Sequence, residues 1–201
     1  IILFLFPLLG TVIYLLIGEP RLGTARAKRS DEMNRFYRGF ADKYLADVYL
    51  DVGHTLKPHY YGISKVAART TGLGATQSNA VTLLSTTDSI VEQMLADIEA
   101  AEHSCMLAFY IIEPKGRIET LLEAVIRAAN RGVDCAILAD GVGSSGFFSS
   151  DWIERLRDAG VEVEPALPVG LLRSLFTRTD LRNHRKILVI DSKIGYTGSF
   201  N

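Results

Sequence analysis

The chain has 201 residues, room for one ordinary domain, and 48% of them are hydrophobic, enough to build a core and to exclude wholesale disorder. A formal net charge of -1, with 22% charged residues, excludes a globally basic nucleic-acid binder, so any basic site must be local. Two cysteines, Cys105 and Cys135, are too few for a disulfide scaffold or a four-cysteine zinc site.

The mean hydropathy of +0.16 is high for a soluble protein, and the excess sits at one end. Residues 1–17 read IILFLFPLLGTVIYLLI and carry no charge. At ~1.5 Å per residue a helix of that length reaches about 26 Å, just short of a hydrocarbon core. Pro7 and Gly10 suit a membrane span better than a soluble helix. A buried core helix and a signal-peptide hydrophobic region are the alternatives. The second needs a basic start and a small-residue cleavage site, and Gly18-Glu19-Pro20 is no such site. Residues 1–18 are therefore expected to be a transmembrane helix, incomplete at its N-terminus or preceded by another span.

Arg21, Arg26, Lys28 and Arg29 come next, with no acidic residue between Leu22 and Ser30. Basic residues beside a span mark the cytoplasmic side and attract anionic lipid headgroups. The rest of the chain is expected to face the cytoplasm, which also suits two reduced cysteines.

Residues 19–77 read as a basic juxtamembrane linker with helical content. Phe36, Tyr37, Phe40, Tyr44, Leu45 and Val48 recur at roughly helical spacing, and Pro58 and Gly72-Leu73-Gly74 punctuate the rest of the linker. From residue 78 the pattern becomes regular. Ala80–Leu84 is strand-like. Asp88–Ala101 carries a helical apolar stripe, with Ser89 and Glu92 at capping-box spacing. Cys105–Ile112 is a β-rich run, Gly116–Arg131 a helix stopped by Gly132, and Val133–Ala139 a buried strand. The glycine-rich stretch from Asp140 to Gly146 fits no phosphate-loop motif and reads as a mobile loop of the kind that borders a site. A helix over Trp152–Ala159, a strand from Val161 and an apolar strand over Ile187–Ile190 complete the series. Strands alternating with helices predict an α/β layer structure, and continuous apolar strands such as Ala136-Ile137-Leu138 predict that both faces of the sheet are covered.

The last nineteen residues carry the chemistry: Asn183-His184-Arg185-Lys186, then Asp191, then Gly198-Ser199-Phe200-Asn201. His184 and Lys186 are two apart and would share a strand face. Asp191 would point the other way and sits at a turn, so no direct contact with substrate is expected of it. A lysine in a strand of apolar residues needs an anionic partner, and a substrate phosphate would supply one. Imidazole serves as nucleophile or proton shuttle near neutral pH. Ser199 and Asn201, on the next strand, could be brought beside His184 to donate to phosphate oxygens.

H-x-K-x(4)-D followed by G-S-x-N resembles the signature of the phospholipase D superfamily. Within it the chain is most similar to bacterial cardiolipin synthases. Pro7, Gly10 and Tyr14 in the hydrophobic span, the basic stretch, Asn79, Phe109–Ile112, Asp140–Ser144 and Arg182–Lys186 all agree. The resemblance implies a phospholipase D-like layered sheet with helices on both faces. It also implies metal-independent, cofactor-free phosphatidyl transfer between two phosphatidylglycerols through a phosphohistidine, giving cardiolipin and glycerol. His184 would be the nucleophile or its acid/base partner. Lys186 and Asn201 would neutralise phosphoryl charge, Ser199 would support that pocket, and Asp191 would act from behind it.

Such enzymes use two motifs meeting at one site. Here the chain ends at Asn201, and His54, His59 and His103 form no second H-x-K. Residues 78–201 are expected to be the first catalytic half, truncated, with the second supplied by missing C-terminal sequence or a dimer mate. Competing readings are a phospholipase-type phosphodiesterase, a single-motif dimeric nuclease and an inactive membrane-anchored module. No nucleic-acid partner is expected on the leading reading.

Overall fold

The computed structural model describes residues 7–8, 11, 24–44, 49, 55, 57–166 and 183–200, and the chain divides into two units, Ile1–Thr82 and Leu83–Asn201. In the first, α1 spans Thr24–Tyr44 and α2 spans Pro58–Thr71. Pro58 stands in the first turn of α2, where its missing N–H has no helical partner to lose. Gly72 closes the helix at φ 77, a left-handed conformation that lets its N–H reach the Ala68 carbonyl. No helix among the described residues is long and apolar enough to cross a membrane. The expected transmembrane helix, residues 1–18, lies outside the described residues apart from Pro7, Leu8 and Thr11.

The predicted strand Ala80–Leu84 is not formed. Val81 and Leu83 are 93% and 90% exposed, and the segment pairs with no other among the described residues. β propensity expresses itself only against a neighbouring strand, and this stretch, straddling the boundary between the units, has none.

The second unit runs α3 (Thr87–Glu99), β1 (Ser104–Phe109), α4 (Arg117–Asn130), β2 (Asp134–Asp140), the single turn α5 (Ser145–Phe148), α6 (Trp152–Asp158), β3 (Glu162–Ala166), β4 (Lys186–Ile190) and β5 (Ile194–Thr197). The capping box of α3 uses Thr86 and Ser89 rather than Ser89 and Glu92. The Ser89 N–H donates to Thr86 Oγ1 at 3.2 Å and the Thr86 N–H to Ser89 Oγ at 3.4 Å.

The sheet is mixed, in the order β3-β2-β1-β4-β5. Strands β1, β2 and β3 are parallel, built by the two crossovers through α4 and α6, while β4 and β5 join antiparallel. Register puts Cys105 opposite Cys135 and Leu107 opposite both Ile137 and Leu188. This face meets Val91, Met94 and Ile98 of α3, Leu122, Val125 and Ala128 of α4, and Leu156 of α6 to form the core. Cys105 and Cys135 are free, buried thiols, and the hydrogen bond with Cys135, together with burial, pushes the Cys105 thiol up.

The expected cover of helices on both faces is met on one face only among the described residues. The opposite face presents Met106, Ala108, Ala136, Ile187 and Val189 half-buried, and Leu138 39% exposed. The run Ala136-Ile137-Leu138 reads as buried on both sides because all three residues are apolar, yet only Ile137 points into the core.

Candidate active site

The carboxyl ends of β1, β2 and β3 lie along one edge of the sheet, and β4 begins at that same edge, with Lys186 paired to Phe109 at the end of β1. In open parallel sheets this edge is where ligands bind. His184 sits just before β4 rather than within it, and it is exposed. Its imidazole stacks on the Tyr110 ring, centroids 4.2 Å apart and planes 22° from parallel. The Lys186 ammonium lies 5.4 Å from the centre of that same ring and donates to the His184 carbonyl at 3.1 Å. The structure thus gathers the histidine and the lysine on one aromatic platform.

That platform is held from behind. Asp140, at the end of β2, is fully buried. Its Oδ1 accepts from the N–H groups of Val142 and Gly143 at 3.0 and 2.9 Å, and its Oδ2 from the Asn183 N–H at 3.0 Å. A buried carboxylate needs such donors, and charge-assisted bonds of this kind are the strong ones. Ser144, also buried, accepts from the Ile112 N–H at 2.9 Å and donates to the Tyr110 carbonyl at 3.1 Å. Gly143 passes so close to Tyr110 that a Cβ on it would lie 2.5 Å from the Tyr110 carbonyl oxygen. The start of the stretch expected to be a mobile loop is therefore pinned: Asp140 and Ser144 are both buried, and Phe147 in α5 is wholly so.

Asp191 stands at the far end of β4, five residues from Lys186 and so about 17 Å along the strand. In a turn with φ 52, its carboxylate accepts from the N–H groups of Glu102, His103 and Ser104 at 3.0, 2.8 and 2.7 Å. Those three amides hold its pKa down at about 2. It fastens β4 to the start of β1 and does not join His184 and Lys186. Ser199 is exposed and lies beyond the end of β5, not on it. Its neighbour Phe200 packs against the core and helps line an apolar cavity of about 30 Å³ with Met94, Ile98, Phe109 and Leu188. Asn201 lies outside the described residues. Among the described residues no group of three His, Cys, Asp or Glu side chains could hold a metal ion.

Tyr110, Asp140, Gly143 and Ser144 carry the site without having been singled out as site residues. An aspartate ending a strand and followed by Gly-x-Gly is an Asx-turn signal that would have flagged the loop as ordered. Tyr110 gave no such signal, being one aromatic residue in an apolar run.

Comparison with known proteins now bears on these residues. The family described as "Cardiolipin synthase, PLD-like domain" matches residues 94–201, more than half of the chain. The chain belongs to this cardiolipin synthase family. Over 201 residues, 100% of the chain, it is 36% identical to Cardiolipin synthase A of Klebsiella pneumoniae. To Cardiolipin synthase A of Escherichia coli it is 34% identical over 203 positions, again covering 100% of the chain. The chain spans 41% of the length of each of these two relatives. Among solved structures, the phospholipase D family member Nuc from Salmonella typhimurium is 23% identical, covering 55% of this chain and 62% of its own, at a TM-score of 0.43. In this cardiolipin synthase family member the match runs through His184, Lys186 and Ser199 and takes in the whole platform from Tyr110 to Ser144.

Proposed function

We propose that the complete protein is a cardiolipin synthase that moves a phosphatidyl group between two phosphatidylglycerols. The observation that carries this reading is the exposed His184 imidazole and the Lys186 ammonium held together on the Tyr110 ring, in a chain that matches cardiolipin synthases over its whole length. An imidazole nitrogen attacks the phosphorus of the first phosphatidylglycerol; a P–N bond forms, the P–O bond to the headgroup glycerol breaks, and glycerol leaves with a proton from a general acid. The headgroup hydroxyl of the second phosphatidylglycerol gives its proton back to that group, now a general base, and attacks the phosphorus. The P–N bond then breaks and cardiolipin is released. His184 is one member of this nucleophile and acid pair. The partner imidazole is supplied from outside residues 1–201 or by a second copy, since no second H-x-K occurs within them.

Lys186 opposes the negative charge that builds on the phosphoryl oxygens, the largest expected electrostatic contribution. Ser199 and Asn201 donate to the same oxygens. Asp191 acts at a distance, by fixing β4 on β1.

The site works at the cytoplasmic face of the bacterial inner membrane, anchored by a transmembrane helix over residues 1–18. Supporting this are the uncharged residues 1–17 and the basic residues just after them. Helix α2 adds to it: Tyr60, Ile63 and Val66, spaced three apart, are 50%, 68% and 65% exposed, and Lys57, Lys65 and Arg69 accompany them with no acidic residue between Asp51 and Asp88. An exposed apolar stripe with basic flanks fits an anionic membrane surface.

The test is to supply the complete enzyme with labelled phosphatidylglycerol and, in parallel, plasmid DNA, each with and without EDTA. Cardiolipin and glycerol forming in equal amounts, indifferent to EDTA, is the expected result. Cleavage of DNA with no cardiolipin would overturn the proposal.

A further inference from the structure

Three segments far apart in sequence interlock at His184: Tyr110 beyond β1, Asp140–Ser144 beyond β2, and Asn183 before β4. The geometry points to Tyr110 and Asp140 as positioning residues for His184, the tyrosine by fixing the plane of the imidazole and the aspartate by fixing the backbone that delivers it. This inference rests on the phosphatidyl-transfer reading.

His184 is exposed, and an exposed side chain on an irregular segment would otherwise sample several rotamers. Nucleophilic attack uses a nitrogen lone pair lying in the ring plane. A stack at 4.2 Å and 22° restricts that plane and occupies a face of the ring rather than the edge that carries the lone pair. The Lys186 ammonium reads off the same ring at 5.4 Å, so Tyr110 sets the relation between the attacking group and the phosphate-binding group. Asp140 completes the arrangement: one carboxylate orders its own loop with Oδ1 and grips the Asn183 N–H with Oδ2. Through Ser144 the same loop holds the Tyr110 carbonyl. Platform and imidazole are therefore hung from one loop, and an error of about 1 Å in such a relation costs a large factor in rate.

The test compares Tyr110→Phe and Tyr110→Leu in the complete enzyme acting on phosphatidylglycerol vesicles. Phenylalanine keeps the ring and is expected to stay within about twofold of the wild-type kcat. Leucine removes the stacking face and is expected to lower kcat by about tenfold or more while KM changes by less than about threefold. Asp140→Asn, which keeps the volume and weakens the grip on Asn183, is expected to behave as leucine does. Should Asp140→Asn fail to fold, the Tyr110 pair decides alone. A second readout is independent of turnover: the rate at which diethyl pyrocarbonate modifies His184, followed by mass spectrometry. It should rise several-fold in Tyr110→Leu and not in Tyr110→Phe. Wild-type kcat in Tyr110→Leu, or equal loss in both variants, would overturn the inference. Absence of cardiolipin from the wild-type enzyme, with the modification rates behaving as expected, would instead overturn the functional reading and leave the positioning geometry standing.

Discussion

Replacing Gly143 with alanine should disturb the site through a single added methyl group. The new Cβ would lie 2.5 Å from the Tyr110 carbonyl oxygen and 2.9 and 3.1 Å from Cε2 and Cδ2 of its ring. The ring could turn aside; the carbonyl oxygen is backbone and cannot. Reaching ordinary contact near 3.4 Å requires the loop and the end of β1 to separate by about 0.9 Å. That shift is large against the 3.1 Å bond from Ser144 to Tyr110, which joins the two segments and would stretch past the limit of a hydrogen bond. Overpacking of this kind costs about 1–3 kcal/mol, and a catalytic group displaced by ~1 Å loses about 10²-fold in rate. Thermal melting and initial rates of the complete enzyme would read both, with a Tm lower by roughly 3–10 °C. Gly146, whose added Cβ would meet nothing within 4 Å, is the control, and Gly146→Ala should leave Tm and rate unchanged. A Gly143→Ala enzyme with wild-type Tm and rate would refute the claim that this loop presses on Tyr110.

The Asp191 carboxyl, held at about 2 against an ordinary 3.8, contributes stability that is fully present above about pH 4 and drains away as the pH falls toward 2. Asp191→Asn should therefore melt lower at neutral pH, and its Tm should depend less on pH between 4 and 2 than that of the wild type; parallel curves would count against the carboxylate's role. Tyr196 on β5 donates its hydroxyl to Asp97 on α3, and burial together with that bond pushes its pKa up. Tyr196→Phe should cost about 1.5–3 kcal/mol, the range for a hydrogen bond to a charged group, read as a lower denaturation midpoint with unchanged slope.

The part of the fold between residues 87 and 166 is legible because its signals are local and periodic. The apolar stripe of Leu121, Leu122, Val125 and Ala128 specifies α4 and its buried face, and Gly132 marks its end. What periodicity cannot supply is a partner. Ala80–Leu84 has strand-forming residues and, among the described residues, no strand beside it, so it forms no regular element and leaves Val81 and Leu83 exposed. Leu138 is apolar yet lies on the sheet face away from the core, which the run of neighbours hides. His184 and Lys186, picked out by their spacing, meet on one ring. Ser199 is picked out by the same motif yet lies exposed beyond the end of β5. The platform beneath the histidine and lysine is not legible, because it depends on Tyr110, Asp140 and Asn183 meeting across separations of 30 or more residues. Asp191 shows the converse: a motif residue whose visible work lies about 17 Å along the strand from the motif's lysine.

The most direct test of the account is single-turnover conversion of phosphatidylglycerol to cardiolipin by the complete enzyme and its His184→Asn variant. His184 is exposed and stacks on Tyr110, so the substitution should leave the melting temperature nearly unchanged. The account predicts that conversion falls by about 10⁴-fold or more. Conversion by His184→Asn at the wild-type rate would contradict it.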